Sequence, residues 1–421
     1  MRELMQSCGA LFLALAILPC ATAQKASRPF EYLYRFAGAP DASDPDLVPP
    51  LAIGTGGVIY GVTNYGGTYN SGAVYSLTPP ALPGGAWTEA VLHGFGAPGD
   101  GSLASSGLAL GNDGILYGTT AAGGAYGNGT VFSLAPPLAV GGAWTETVLY
   151  SLGERADDGA QPYGTPALGE HGVLYATTTK GGPNVCSQGN CGTVFSLTPP
   201  SSPGGAWTES ILYAFRALDD GDYPSGTLSI GHDGSLYGTT LLGGESGFGT
   251  AFRLAPPSSP DGEWTETILH SFGGGQDGTG PAGNLALGAG PVYYGTTQST
   301  VYSLTPPTTT GAPWTYAVLA DDLLLTYAGA AVNTGTGALY GATFYGGSKG
   351  GGSIFMLVPP ATPGGAWTNR TLHSFTRGHG SNPVQSMLLS NGALYGTTPA
   401  ANTFGGTGKG YGTVFSFVLA P

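Results

Sequence analysis

Short apolar segments alternate with clusters of glycine, proline, asparagine and aspartate along almost the whole chain. In one stretch the apolar segments are 107–111, 115–120, 129–134 and 144–150. They are rich in β-branched and aromatic residues, as strands are. Residues 112–114 (Asn-Asp-Gly) separate the first two segments and give a strong hairpin signal. The pattern therefore predicts a unit of four short antiparallel strands.

The second segment of this unit contains the phrase Leu-Tyr-Gly-Thr-Thr, which recurs in variant forms through the chain. The tyrosines of its seven copies are Tyr60, Tyr117, Tyr175, Tyr237, Tyr294, Tyr340 and Tyr395. Neighbouring copies lie 46 to 62 residues apart. A repeat of this length is too long for one helical hairpin and suits four short strands with their turns.

The fourth segment indicates how the first and last repeat units are joined. It follows units one to six and begins in each with a tryptophan: Trp87, Trp144, Trp207, Trp264, Trp314 and Trp367. The seventh unit ends after its third segment (412–417), whereas residues 30–36, before the first unit, match a fourth segment without its tryptophan. Linear stacks need capping units at both ends, but a ring needs only a strand that closes it.

We therefore predict an all-β fold, a seven-bladed β-propeller with four-stranded antiparallel blades, in which the N-terminal strand completes the last blade. A linear β-solenoid or two β-sandwiches are the alternatives. The composition agrees with a β-rich fold, because 76 Gly and 33 Pro in 421 residues oppose helix interiors. Such a Gly and Pro content also occurs in disordered chains, but these lack the 41% hydrophobic and 11% aromatic residues found here.

Residues 1–23 have the features of a secretory signal peptide. Arg2 lies in a short polar start, 11–18 is apolar, and 21–23 (Ala-Thr-Ala) is a cleavage site of the usual kind. We expect the mature chain to be a single propeller domain, 24–421, that is secreted and extracellular, with possible association with the cell surface. A lipoprotein that uses Cys20 is the alternative. The apolar run is too short to span a bilayer, and no membrane span is expected in the mature chain.

Two of the four cysteines remain after cleavage, Cys186 and Cys191. Export favours a disulfide between them, and such a bridge would fix its small loop more than the whole fold. A metal-binding pair is the alternative, but no histidine lies nearby in the sequence.

The net charge of −13 excludes one broad class of partner. Nucleic acid binding requires clustered Lys and Arg, and anionic membrane surfaces are disfavoured for the same reason. The acidity is compatible with cations and with neutral ligands such as sugars.

The repeated sequence resembles that of the Gloeobacter/Verrucomicrobia (GloVer) tandem-repeat family of bacteria. The matching text is Leu-Tyr-Gly-Thr-Thr-x-x-Gly-Gly, then Gly-Thr-Val-Phe-Ser-Leu, then Trp-Thr-Glu, and it covers essentially residues 30–421. The resemblance implies an exported, surface-associated or extracellular bacterial protein. It implies no activity and no catalytic residue.

The loops between fourth and first strands share one face of a propeller with the second-to-third loops, and they carry the candidate ligand-binding residues. These are Asp100, Asp158, Asp220, Asp277, Arg377 and His379. The aspartates form Asp-Gly pairs that recur in four units, and Arg377 and His379 replace such a pair in the final loop. An acidic ring at the channel mouth would bind a cation such as Ca²⁺ or a polar ligand. The alternative, which the recurrence favours, is that Asp-Gly only makes the turn. We predict no metal-ligating residue and no cofactor, with calcium as the alternative.

Other polar and aromatic residues recur at fixed repeat positions. His93, His270 and His373 stand on the fourth strand where other units have Tyr150 and Tyr213, which favours a structural role. A surface role is expected for the outer-strand glutamates, namely Glu146, Glu209 and Glu266. The tryptophans are expected to pack between blades or against a turn, with sugar stacking as the alternative.

No catalytic motif is present, and we predict a non-enzymatic secreted binding or scaffold module, with a polysaccharide or a surface protein as its partner. A monomer is expected because a closed propeller has no need to assemble. The alternative is a carbohydrate-active enzyme, a polysaccharide lyase or glycoside hydrolase, with its site at the channel mouth. Paired carboxylates for hydrolysis would come from 157–158 and 219–220 (Asp-Asp in both), and a lyase base would be His379 near Arg377.

Overall fold

The computed structural model describes most of the chain after its first 28 residues. The described ranges are 29–45, 51–82, 84–104, 106–139, 141–186, 189–202, 204–217, 220–259, 262–309, 311–321, 323, 331–332, 335–362, 364–376, 380–383, 386–399 and 410–419. The predicted signal peptide (1–23) lies outside these ranges, as do Arg377 and His379.

Seven antiparallel sheets form the blades of a β-propeller, and each blade has four main strands. The innermost strands are Ala52–Ile53, Ala109–Leu110, Ala167–Leu168, Ser229–Ile230, Ala282–Leu287, Ala331–Val332 and Leu388–Ser390. The second strands are Ile59–Thr63, Leu116–Thr120, Leu174–Gly181, Leu236–Leu242, Tyr293–Thr296, Leu339–Thr343 and Ala393–Thr398. The third strands are Ala73–Thr78, Thr130–Ala135, Thr193–Thr198, Thr250–Ala255, Val301–Thr305, Gly350–Val358 and Thr413–Val418. The outer strands of blades 1 to 7 are Thr88–Gly94, Thr145–Ser151, Thr208–Ala214, Thr265–Ser271, Thr315–Ala320, Thr368–Thr376 and Phe30–Arg35.

Shorter elements lie mostly in the loops of one face. The further strands are Ala42–Ser43, Tyr65–Gly66, Gly101–Ser102, Ala122–Gly123, Gly159–Pro162, Val185–Cys186, Gly189–Asn190 and Asp222–Pro224. Three 3₁₀ turns are Thr55–Gly57, Glu170–Gly172 and Gly275–Asp277. Gly101–Ser102, which precedes blade 2, pairs with Ala122–Gly123, which follows the second strand of that blade. The fourth-to-first and second-to-third loops therefore meet on one face, as expected.

The N-terminal strand closes the ring, which confirms the predicted seven-bladed fold. Phe30–Arg35 pairs antiparallel with Thr413–Val418, and Phe30 lies opposite Phe417. The Phe30 ring also stacks on the His373 imidazole of blade 6 at 3.8 Å. The first strand of the chain is thus hydrogen-bonded to the last strand, and its side chains pack on the preceding blade.

The glycine of the Leu-Tyr-Gly-Thr-Thr phrase faces an aromatic ring of the third strand. Gly118 pairs with Phe132, and a Cβ atom on Gly118 would lie 2.5 Å from the Phe132 ring. Gly238 and Phe252 repeat this arrangement in blade 4. Both phenyl rings are fully buried, so the glycine leaves the space in which each core aromatic packs.

The last threonine of the phrase forms a buried hydroxyl pair with a residue near the start of the third strand. The two oxygens lie 2.8–2.9 Å apart in Thr120–Thr130, Thr178–Thr193, Thr240–Thr250, Thr297–Thr300, Thr343–Ser353 and Thr398–Thr413. Buried hydroxyl groups require hydrogen-bond partners. The pairing explains why threonine recurs at both positions.

The tryptophans pack between blades, as expected. The ring pairs are Tyr60–Trp144, Tyr117–Trp207, Tyr175–Trp264, Tyr237–Trp314 and Tyr294–Trp367, with centroids 5.8–6.4 Å apart. Each joins the second-strand tyrosine of one blade to the tryptophan of the next blade. The repeat thereby supplies both halves of every such contact.

The predicted disulfide is present. Cys186 and Cys191 are bonded, with Cα atoms 5.3 Å apart. Cys191 is fully buried and packs in a core cluster with Phe215 and Leu228. In the described part of the chain, no helix is both long and apolar enough to cross a bilayer.

Candidate binding sites

The four aspartates singled out by the sequence occupy equivalent places. Asp100, Asp158, Asp220 and Asp277 each lie in a loop that joins an outer strand to the next blade. Each carboxylate accepts hydrogen bonds from backbone N–H groups of its own loop. The N–H of Gly101, for example, donates to Oδ1 of Asp100 at 2.6 Å. The carboxylates thus hold the loops in shape.

The same four carboxylates, and that of Asp41 in the loop before blade 1, also bind a side chain of the preceding outer strand. The pairs are Tyr34–Asp41, His93–Asp100, Tyr150–Asp158, Tyr213–Asp220 and His270–Asp277, at 2.8–3.2 Å. We call each pair a loop clamp. His93 lies opposite Val74, and Tyr150 lies opposite Val131 at the matching place in the next blade. The expectation that histidine and tyrosine share one repeat position is therefore confirmed.

Ligand binding by the aspartates of the loop clamps stays a prediction. Their hydrogen bonds join each carboxylate to its own loop and its own outer strand. Arg377 and His379 lie outside the described residues, as does Asp219 of the second proposed carboxylate pair.

A glutamate of the next blade lies beside each of four loop clamps. The four are Glu89 at Asp41, Glu146 at Asp100, Glu209 at Asp158 and Glu266 at Asp220. Burial, then the charge of the adjacent aspartate, raises the pKa of Glu89, Glu146 and Glu266 to about 7. Burial raises the pKa of Glu209 as well, although its ion pair with Arg155 opposes the rise. The expected surface role is wrong for Glu209, which is only 8% exposed, because the neighbouring blade covers it.

The inner strands approach one another closely at the propeller axis. The backbone of Gly226, before the inner strand of blade 4, lies against that of Gly283 in blade 5 with no room for a Cβ atom. The hydroxyl of Ser386, before the inner strand of blade 7, lies 3.5 Å from the side-chain oxygen of Asn284 in blade 5. Blades 5 and 7 are separated by blade 6 in the ring, so these two side chains meet on the inner side of blade 6.

A cavity of about 580 Å³ lies at the junction of blades 4 and 5, beside the turns between first and second strands. Its principal side chains are His232, Asp233, Tyr237, Arg253, Tyr293 and Trp314. The volume falls within the range of pockets that hold small ligands. We call this cavity the junction pocket. It lies away from the loop clamps, and no sequence pattern indicated it.

Two side chains of the junction pocket depart from the repeat. Arg253 lies opposite Tyr237, where blade 2 has Ser133 opposite the equivalent tyrosine. Tyr293 begins its second strand, where blade 2 has Leu116. In the sequence, the first departure is an arginine at the serine position of the Gly-Thr-Val-Phe-Ser-Leu segment in blade 4. The second is a pair of adjacent tyrosines in the second segment of blade 5.

Aromatic rings form one wall of the junction pocket. Tyr237 and Tyr293 stack with centroids 4.2 Å apart and an interplanar angle of 24°. The Trp314 ring lies 6.1 Å from each of them. Both tyrosines are at least nine-tenths buried, so the wall is held rigidly by the core of two blades.

A partly exposed ion pair lies beside this wall. Arg253 Nη2 donates to Asp233 Oδ2 at 2.7 Å, and the side chains remain 30% and 52% exposed. Burial raises the pKa of Asp233, but hydrogen bonds from Arg253 and Ser235 outweigh it and leave the pKa below its usual value. Burial and then the hydrogen bond to Tyr237 raise the pKa of Tyr293. The polar edge of the pocket therefore includes a neutral tyrosine and a charge-balanced pair, with His232 beside them.

These features define a seven-bladed β-propeller protein built from one repeat, with a cavity at the junction of blades 4 and 5. Residues 22–202 match the sequence profile of the Gloeobacter/Verrucomicrobia repeat. The resemblance of the repeated sequence to this family is thus confirmed over these residues. No curated protein matches the chain in sequence.

Solved structures with a similar fold include three bacterial proteins. A putative 6-phosphogluconolactonase from Bacteroides uniformis is 14% identical, with a TM-score of 0.51, and the match covers 80% of this chain and 88% of that one. The PQQ-bound aldose sugar dehydrogenase of Streptomyces coelicolor is 15% identical, with a TM-score of 0.43 and coverages of 73% and 92%. The extracellular domain of a putative hybrid two-component system from B. thetaiotaomicron is 9% identical, with a TM-score of 0.49 and coverages of 93% and 41%. The first likeness supports the fold and, at this identity, says nothing of activity.

Proposed function

We propose that the protein is a secreted bacterial binding module and that its junction pocket holds a neutral glycan. One observation carries the proposal: the two departures from the repeat, Arg253 and Tyr293, meet in one cavity beside Trp314. A sugar ring has flat C–H faces and hydroxyl edges. Aromatic side chains with polar tips suit the faces, and a guanidinium next to a carboxylate offers donors and acceptors to the hydroxyl groups.

Charge favours a neutral ligand over an anionic one. Asp233 balances Arg253 within the pocket, so the arginine is already paired and less available to a sugar acid. The chain as a whole carries a net charge of −13, which repels polyanions at long range.

The disulfide supports the proposed export, because such bonds persist in oxidising compartments. The proposal places cleavage of the signal peptide after Ala23. Mass spectrometry of the protein recovered from the medium of an expressing bacterium should therefore give an N-terminus at Gln24. Recovery of only uncleaved protein from the cytoplasm would contradict export.

The binding proposal is tested with variants that restore the repeat. Arg253→Ser and Tyr293→Leu install the side chains found in blade 2, so both should keep the fold. A panel of neutral and anionic polysaccharides, followed by calorimetry with oligosaccharides of any hit, should show binding of a neutral glycan by the parent chain. We expect each variant to weaken that binding at least about tenfold, the scale of one or two lost polar or stacking contacts.

The matched control is Ser133→Ala at the position equivalent to Arg253, which should bind as the parent does. Unchanged affinity in both pocket variants would refute the junction pocket as the site. Release of soluble sugar products during the panel would instead favour the carbohydrate-active enzyme.

A further inference from the structure

The junction of blades 1 and 2 brings a histidine and two carboxylates together. His93 and Asp100 form the loop clamp of blade 1, with Nε2 3.0 Å from Oδ2. Glu146, from the outer strand of blade 2, completes the group, and one ligand atom from each residue lies within 4.8 Å of the others. One imidazole nitrogen and two carboxylate oxygens form a ligand set that suits divalent metal ions such as Zn²⁺. We propose that these three residues bind one ion of the Zn²⁺ class.

The distances among the three ligand atoms are compatible with the binding of one metal ion. Ligand atoms about 2.0–2.2 Å from Zn²⁺ in tetrahedral geometry lie roughly 3.3–3.6 Å apart. The His93–Asp100 distance is already close to this value, and the widest pair has to close by about 1 Å, which a rotation of the Glu146 carboxyl group supplies. Three protein ligands leave a fourth position for water or for a group of a ligand.

The ligands are held in place and reachable. Asp100 is oriented by the N–H groups of Gly96 and Gly101, and its side chain is 8% exposed. His93 keeps 23% exposure, which gives an ion a path from solvent. Oε1 of Glu146 is buried and accepts no hydrogen bond from the described residues; the same holds for Oε1 of Glu89, Glu209 and Glu266, but Glu146 has both a histidine and an aspartate within ligand distance. A buried carboxylate oxygen without a donor is costly, and metal binding would relieve that cost.

The other junctions show what is special about this one. Between blades 2 and 3, Arg155 supplies the positive charge beside Glu209. Between blades 3 and 4, the clamp side chain is Tyr213, and Arg216 lies near Glu266. Neither junction has a histidine at the clamp.

Between blades 4 and 5 the third ligand is missing. His270 and Asp277 form the clamp, but Tyr316 stands in the place of the glutamate and stacks on His270 at 3.8 Å. At the junction of blades 1 and 2, the charges that act on Glu146 are those of Asp100 and His93. Among the described residues, His93, Asp100 and Glu146 are the one group of three such ligands, and a divalent ion would balance its charge as Arg155 and Arg216 do at the next two junctions.

The test compares zinc binding in the whole mature chain and two variants. His93→Tyr installs the clamp residue of blades 2 and 3, and Glu146→Gln keeps the shape of the side chain. After removal of metal with EDTA, ZnCl₂ should bind the parent chain at one equivalent in calorimetry and raise its Tm. We expect both variants to bind at least about tenfold more weakly, since the loss of even an outer partner of a metal ligand has that effect.

His270→Tyr is the control and should bind zinc as the parent does, because its clamp lacks the third ligand. The proposal is overturned if the parent chain does not bind zinc, or if Glu146→Gln and His93→Tyr bind it with the affinity of the parent. Loss of binding in His270→Tyr alone would move the site to blade 4 and would equally overturn it. If His93→Tyr fails to fold, the Glu146→Gln result decides.

Discussion

Glu266 should make the propeller less stable as pH rises. It belongs to the outer strand of blade 4 and lies at the Tyr213–Asp220 loop clamp of blade 3. Burial, then the charge of Asp220, raises its pKa from 4.5 to about 7, and Arg216 opposes part of this rise. The folded chain therefore keeps a proton that the unfolded chain releases between pH 4.5 and 7. The contribution of this retained proton to the free energy of unfolding is fully present below pH 4.5 and is lost as pH rises through about 7.

The size of the effect follows from the shift. A pKa rise from 4.5 to about 7 corresponds to about 3.4 kcal/mol, at about 1.36 kcal/mol for each tenfold change in proton affinity. Solvent screens part of this because the carboxyl group is only half-buried, so we take about half, ~1.7 kcal/mol. Glu266→Gln keeps the shape of the side chain without its charge. It should raise the free energy of unfolding by about this amount at pH 8 and change it little at pH 4.5.

Urea unfolding followed by tryptophan fluorescence, at pH 4.5, 6 and 8, measures the difference between the parent chain and Glu266→Gln. Glu263→Gln, an exposed glutamate on the same chain segment, is the control and should show no pH-dependent difference. The reasoning is refuted if Glu266→Gln destabilises the protein at pH 8, or if its stability profile runs parallel to that of the parent chain.

Three further perturbations address the repeat, the closure and the disulfide. Gly118→Val places a side chain against the buried Phe132 ring and should cost about 1–3 kcal/mol in urea unfolding; a neutral result would contradict the packing role of the glycine. Deletion of residues 24–36 removes the strand that pairs with Thr413–Val418, and we expect lost cooperativity in calorimetry and rapid proteolysis, because an unpaired sheet edge remains. Replacement of both Cys186 and Cys191 by alanine should cost about 2 kcal/mol or less, since the loop is short, with faster amide exchange confined to residues 183–192; a global loss of protection would refute this local role.

The fold was predictable because one sequence phrase carries several packing rules at once. Its glycine faces a core aromatic, as Gly118 faces Phe132, and its last threonine pairs with a hydroxyl of the next strand. Seven copies of such a phrase specify seven sheets. The displaced segment 30–36 specifies how the ring closes. These rules act within one unit or between its immediate neighbours, which is why the sequence exposes them.

The environments between blades were less predictable. Glu209 looks like a surface residue in its own strand, and only the neighbouring blade, more than 50 residues away in the chain, buries it beside Arg155. The junction pocket was missed for a related reason. A search for the repeat treats Arg253 and Tyr293 as variation between copies, and no local pattern shows that they face each other across a blade junction.

The repeat and its departures therefore serve different purposes in this chain. Positions that agree among the units build the ring: the glycine–aromatic contacts, the threonine pairs and the tyrosine–tryptophan pairs recur around it. Both proposed binding sites lie at blade junctions whose side chains differ from those of the other junctions. Histidine also stands at the clamp of blade 4, but of the two histidine clamps described it is His93 that has a glutamate of the next blade, Glu146, beside it. Arginine in place of serine brings Arg253 to the junction pocket. Exchange of His93 for the tyrosine of blades 2 and 3, or of Arg253 for the serine of blade 2, should therefore weaken binding while the propeller remains folded, whereas substitutions at agreeing positions should lower stability first.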